Sequence, residues 1–416
     1  MTAVPHSAAE ADAPWDPGVP PEGFFDDPYP HYRALHVAGR LLRANDGSLV
    51  VVHHGDVSAV YRDADMFSSD KREEFAPKYG ASALFEHHTT SLVFNDDPYH
   101  RRVRNKLTGA LSPRAVAGLG ETLGQYCDAL AAGLAVTGTC EAIAAFAAAV
   151  PVRVIGDMFD VPQGARAPLR GWSLAILQAL EPTPDAAALA AGNAAINEFS
   201  DFLEKLIAAR RDRPGDPERD LLTRLIAGDA SEVPLSAPEL VHNAIFLLNA
   251  GHETTTNLIG NALHLLALDE ALCRSLVADP ALVPAFVEEV LRLESPNQIG
   301  NRRARHGAMI AGTPVAAGTP VTLMIGAANR DPAVFPEPDS IRLDRRPNRH
   351  LAFGAGRHQC AGLSLARLEA EIALRSWLCH IPEFTLAAPG RWRKRVRFRG
   401  LETLALQFGA PQEMRR

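Results

Sequence analysis

The chain has 416 residues, of which 47% are apolar and 22% charged, and its formal net charge is −7. That balance describes a globular enzyme long enough to bury a large core. The acidic excess excludes a general nucleic-acid binder, which needs a basic footprint.

Residues 1–23 are rich in Ala, Pro and acidic side chains and lack the basic and apolar regions of a signal peptide. They are expected to form a disordered tail ahead of a single domain over 24–416. Phe24 to Gly39 contains an amphipathic helix, and Leu41 to Val52 reads as a hairpin turning at Asn45-Asp46-Gly47. A short helix over Asp56 to Arg62 follows. Asp70 to Phe94 is irregular, a long loop or a set of short pieces. Asp96 to Leu111 is a helix with a basic face, and the alanine-rich run Ala115 to Phe146 continues helical through Phe159.

Two further helical patterns lie within Ala165 to Arg211, separated by Glu181 to Asp185, and Leu221 to Ala227 is a short helix. Ser236 and Glu239 form a capping box that opens a long helix to about Leu268. Its first half is apolar on nearly every side, so it is expected at the centre of the fold. Leu282 to Leu293 is helical, Gln298 to Leu323 alternates short β-runs with Gly and Pro, and Ala327 to Asn348 is a meander. A glycine-rich loop, a helix to about His380 and a β-like tail from Val396 to Phe408 complete the chain. The fold class is mainly α with small β-sheets. No run of about 18 apolar residues suggests a transmembrane segment.

Five cysteines, Cys127, Cys140, Cys273, Cys360 and Cys379, are odd in number, scattered and free of any CxxC pair. They make no disulfide framework and point to a cytoplasmic setting. Only Cys360 has a special surrounding. It follows Phe353-Gly354-Ala355-Gly356-Arg357-His358 at a loop-to-helix junction, with Gly362 just beyond. The N–H groups of a helix start favour a thiolate, which is a nucleophile or a metal ligand. The two glycines permit close backbone approach to a flat partner. On the long helix, Gly251-His252-Glu253-Thr254-Thr255 interrupts an apolar run, and a mid-helix threonine competes for the carbonyl four residues back.

The Cys360 run resembles the haem-binding signature of the cytochrome P-450 family, and compatible landmarks extend the resemblance from about Asp27 to Phe408. It implies a long central helix over haem b and a cysteine loop beneath it, with Cys360 as the proximal iron ligand and Phe353 and Gly354 beside the ring. Thr254 is then expected to hydrogen-bond dioxygen and Glu253 to relay protons. Gly251 would leave room for oxygen, with Ala250 against the distal face. His100, Arg104, Arg302 and His358 would hold the haem carboxylates. Glu289 and Arg292 would form a structural ion pair with Arg342 or Arg345 of the meander. Phe246, Asn249 and Ala250, with Phe85 and Leu92, would line the substrate pocket, under a lid formed by Leu169 to Phe199.

The implied reaction inserts one atom of O2 into a small, mainly hydrophobic organic substrate by hydroxylation or oxidative dealkylation. Electrons from NAD(P)H would arrive through a ferredoxin-type donor and its reductase, docking on Arg101, Arg102, Lys106, Arg349, Arg357 and Arg367. A peroxide-dependent thiolate-haem enzyme and a non-catalytic haem sensor are the rival readings. The intact Glu253–Thr254 pair weighs against both.

Overall fold

The structure is a computed structural model and describes residues 11–14, 16–108, 111–228 and 233–409. The central helix, Ala237–Leu268, is built from the capping box outward. The Ser236 hydroxyl accepts from the Glu239 N–H, and the Glu239 carboxylate accepts from the Ser236 N–H. Such a cap stabilises a helix by about 1 kcal/mol. From Leu240 to Leu248 every side chain but that of Phe246 is buried. Partners surround the helix: Ala149–Met158, Leu169–Ala179, Ala186–Asp212 and Leu363–His380. Trp377 on the last of these is fully buried, edge-on to Phe146 at 5.0 Å.

The β-structure stands beside this helical body. The largest sheet has six strands in the order Ala11–Asp12, Leu41–Arg43, Leu49–Val51, Pro320–Met324, Ile299–Ala304 and Phe67–Ser68. Its hairpin is the one legible at Asn45 to Gly47: Leu41 pairs with Val51, and Gly47 turns at φ +81°. A three-stranded sheet joins Phe384–Leu386, Ala405–Phe408 and Thr139–Glu141. Two small hairpins, Ala308–Ile310 with Thr313–Val315 and Arg391–Trp392 with Leu401–Thr403, complete the described strands.

Two expectations change, one open alternative closes and one helix is new. Part of the tail lies outside the described residues, but Ala11–Asp12 pairs in parallel with Leu42 and Arg43. Asp16 accepts from the Gly18 and Asn45 N–H groups. That stretch is therefore fastened to the sheet rather than disordered. The segment from Asp70 to Phe94 consists of helices Arg72–Tyr79 and Ala83–Thr90 and a 3-10 turn at Leu92–Phe94, so it is the set of short pieces. The alanine-rich run is broken by the strand Thr139–Glu141, because Gly138 turns at φ +73° and Ala405–Phe408 offers a pairing edge. A helix at Glu270–Ala278, capped by Asp269, had no counterpart in the sequence reading.

Candidate active site

The cysteine loop is shaped by its glycines. Gly354 and Gly356 have φ of +64° and +70°, which L side chains rarely adopt. A Cβ on Gly356 would stand 2.6 Å from the Tyr61 carbonyl oxygen. The loop closes through Gly354 N–H to Leu351 O (2.8 Å), Gln359 N–H to Gly356 O (3.0 Å) and Cys360 N–H to Phe353 O (2.9 Å). Cys360 thus stands two residues before Gly362, the N-cap of the helix Leu363–His380. Burial pushes its thiol pKa up, while the Gly362 N–H and the Arg104 and Arg367 guanidinium groups oppose that shift. Cys360 is exposed and lines a cavity of about 380 Å³ that runs from this loop to the central helix.

Phe246, Asn249, Ala250, Gly251, Thr254 and Thr255 line the cavity from the central helix. The Thr254 hydroxyl donates to the Ala250 carbonyl oxygen at 2.9 Å, the competition for a helix carbonyl expected there. Gly251 keeps its place because a Cβ would meet Ile155 Cδ1 at 3.0 Å. Glu253 shares the turn but not the cavity wall. It is fully buried, and neither carboxylate oxygen has a hydrogen bond. Arg393 Nε and Arg395 Nη1 stand 3.6 and 3.8 Å from Oε1. Burial raises its pKa against the pull of these two arginines, so the carboxyl holds a proton above the usual carboxylate range.

Basic groups converge on the same cavity. His100, Arg104, Arg302 and His358 all line it. The His100 and His358 rings lie 3.9 Å apart, and His100 Nε2 is buried without a partner. Burial, Arg302 and His100 push the His358 imidazole down to about 2. Arg302 is buried, bonds the Asn301 carbonyl and has no carboxylate within ion-pair distance among the described residues. A buried guanidinium without a carboxylate at Arg302 and an unpartnered ring nitrogen at His100, gathered with Arg104 and His358, suit the carboxylates of a dianionic guest. Cys360 would ligate its metal, and the glycine loop gives a flat ring close approach. The residues present therefore fit haem. Away from the cavity, His36, His53 and Asp331 offer ligand atoms within 4.8 Å of one another.

Behind the loop, Glu289 and Arg292 form a bidentate pair at 2.8 and 2.9 Å with both side chains buried. The third member is Arg345, whose Nε donates to Glu289 Oε1 at 3.0 Å. Arg342 contributes only its backbone N–H; its side chain turns outward to Glu337 and Asp344.

Other expected residues fall elsewhere. Leu92 lines the cavity, but Phe85 does not. Because its segment is helical, His87 and His88 face the cavity instead. Ile176, Leu177 and Leu180 contribute from the expected lid. The basic cluster is thinner than expected. Arg102 pairs with Glu239, Lys106 is buried, and Arg367 pairs with Glu288 at 2.6 Å and stacks on Phe353. Arg101, Arg349 and Arg357 stay exposed, the last beside Asp65. Sequence reading missed Lys71, Glu74, Arg397 and Phe398, which also line the cavity; no local motif marks them.

The Cytochrome P450 family model matches residues 186–279 and 269–389. The biotin biosynthesis cytochrome P450 of Bacillus subtilis is 32% identical over 92% of this chain and 97% of its own. The cytochrome P450 monooxygenase PikC of Streptomyces venezuelae is 33% identical over 96% and 95%. Among solved structures, P450BioI in complex with hexadec-9Z-enoic acid ligated acyl carrier protein superimposes with a TM-score of 0.88. It is 32% identical and covers 93% of this chain and all of its own. These similarities span the helical body, the sheets and the cysteine loop together, and the chain belongs to the cytochrome P450 family of haem-thiolate monooxygenases.

Proposed function

We propose that this monooxygenase hydroxylates or oxidatively dealkylates a small, largely apolar molecule, using NAD(P)H electrons passed through a reductase and a ferredoxin-type donor. The observation that carries the reading is one cavity with Cys360 at one end and Thr254 on the facing helix. When bound, haem supplies a thiolate-ligated iron that activates dioxygen and is tuned by its surroundings. His100, Arg104, Arg302 and His358 would hold its carboxylates, and Phe353 would pack at its edge.

The chain's own tasks are then positioning and proton handling. Leu92, Ile176, Leu180, Phe246 and Leu247 wrap an apolar substrate and exclude water. Thr254 places a hydroxyl on the cavity wall at the helix notch, where its oxygen can accept a proton while it donates its own to the Ala250 carbonyl. Glu253, one residue before it, is a buried carboxyl beside Arg393 and Arg395 whose raised pKa suits it to carrying a proton. A turn of its side chain passes that proton from the arginine side toward Thr254. Exposed Arg101, Arg349 and Arg357 provide the basic surface for an acidic electron donor.

Relatives support an apolar substrate without fixing it. They include a vitamin D(3) 25-hydroxylase and structures in complex with testosterone and with myristic acid. The test is the carbon-monoxide difference spectrum of the reduced holoenzyme. The expected result is the strongly red-shifted Soret band of thiolate ligation, abolished in Cys360→Ala. An unshifted band in fresh wild type overturns the haem-thiolate reading. Reconstitution with a ferredoxin and its reductase, scored by product formed per NAD(P)H oxidised, tests the electron route.

A further inference from the structure

The strap that joins the strands Arg391–Trp392 and Leu401–Thr403 places one cation in the cavity wall. Arg397 Nη1 donates to the Ile299 carbonyl oxygen at 3.2 Å and Nη2 to Asn301 Oδ1 at 2.7 Å. These bonds fix the guanidinium against the strand Ile299–Ala304 and leave a second N–H on each Nη. The remaining donor, Nε, is buried and meets no acceptor. Among the described residues, no carboxylate lies within ion-pair distance of Arg397.

Its surroundings deepen the imbalance. Lys71, also buried on the cavity wall, has Glu74 as its partner at 2.5 Å. The positive charge of Arg397 further lowers the Lys71, Lys78 and His88 pKa values, each already lowered chiefly by burial. The nearby acid, Glu181, spends one oxygen on the Val396 and Arg397 N–H groups, and burial raises its pKa. A guanidinium in a largely apolar cavity without a counter-ion is costly. A guest bearing a carboxylate supplies the missing acceptor and the missing charge together, in the planar geometry a guanidinium matches.

We propose that Arg397, with Lys71 nearby, forms a carboxylate subsite, so that the substrate is an amphiphile anchored there by its anionic end. Its apolar body lies along Leu180, Phe246 and Leu247 toward Cys360. This inference rests on the reading of the cavity as the oxygenation site.

The test uses the holoenzyme and ω-(imidazol-1-yl) fatty acids of graded chain length with their methyl esters. The imidazole shifts the Soret band when it reaches iron, and the tail samples the cavity. At one chain length the acid should bind roughly tenfold or more tightly than its ester. In Arg397→Gln that advantage should vanish while ester affinity holds, and Arg397→Lys should restore part of it. Equal affinities of acid and ester at every length overturn the subsite. So does an Arg397→Gln variant that weakens both ligands alike, which makes the arginine merely structural. An altered resting Soret band or haem content in that variant also overturns it, because the cation would then serve the haem. Failure of the haem-site reading is distinct: imidazole alone would then leave the Soret band unmoved.

Discussion

Removing Glu289 tests how the meander is fastened behind the cysteine loop. Its carboxylate accepts five hydrogen bonds: from Arg292 Nε and Nη2, Arg345 Nε, Asn348 Nδ2 and the Arg342 N–H. Arg292 is fully buried and also donates to the carbonyl oxygens of Asn329, Pro338 and Ser340. Burial raises the Glu289 pKa, but these partners outweigh it and hold the carboxyl below its ordinary value. Glu289→Ala therefore strands a buried guanidinium, a change that costs about 3–5 kcal/mol. Arg342→Ala is the control, because that side chain faces solvent. The assay is urea unfolding followed by far-ultraviolet circular dichroism at one haem and protein concentration. Glu289→Ala should shift the midpoint strongly, and Arg342→Ala should leave it within error. The double variant Glu289→Gln with Arg292→Met should cost less than the sum of its singles, since most of the penalty is the leftover charge. Equal midpoints for Glu289→Ala and Arg342→Ala would refute the assignment of this pair as the anchor.

Gly356→Ala forces a Cβ against the Tyr61 carbonyl at a positive φ, and the left-handed conformation alone costs about 1–2 kcal/mol. The ratio of Soret to protein absorbance should fall, whereas Gly124→Ala, with open space at its Cβ, should keep it. Glu369 is buried with Oε2 unpartnered, and burial alone raises its pKa well above the ordinary value. The folded state then holds a proton that the unfolded state releases near the ordinary pKa. Stability therefore falls as pH rises from there toward the raised value. Glu369→Gln should unfold at higher urea than wild type at neutral pH, with the gap closing below the ordinary carboxylate pKa; a gap independent of pH contradicts this. Thr254→Ala should keep substrate-induced spectral changes but lower product per reductant consumed by about tenfold or more. An unchanged yield removes Thr254 from proton handling.

Local signals located most elements because their physics is local. The capping box at Ser236 and Glu239 closes within one turn, and the hairpin at Asn45 to Gly47 needs only its own residues. The strand Thr139–Glu141 could not be read that way, because the edge it pairs with lies at Ala405–Phe408. The helix Arg72–Tyr79 was hidden by Pro77 inside it and by its lack of apolar periodicity, with only Phe75 and Tyr79 buried. Arg342 and Arg345 were equivalent in sequence. The geometry separates them by burial, since Arg345 reaches inward to Glu289 while Arg342 finds acids at the surface.

The same limit explains the far side of the cavity. Arg391, Arg393, Arg395, Arg397 and Arg399 recur at every second position, where the sequence showed only a β-like tail from Val396 onward. In the fold the last four serve three places. Arg393 and Arg395 flank Glu253, and Arg395 also bonds Gln178 and the Leu174 carbonyl. Arg397 enters the cavity wall, and Arg399 pairs with Glu294 at 2.6 Å and stacks on Trp392. The strap thus joins the central helix, the helix Leu169–Ala179 and the end of the helix Val283–Leu293. Glu253 was recognisable as an acid beside a threonine, but its raised pKa was not, because that is set by burial working against two arginines about 140 residues away in sequence. They attract the carboxylate without hydrogen-bonding it. Burial therefore dominates, and the Glu253 pKa lies above its ordinary value despite both guanidinium groups. The helix notch and the arginine strap thus meet at Glu253, and only the notch carried a sequence motif.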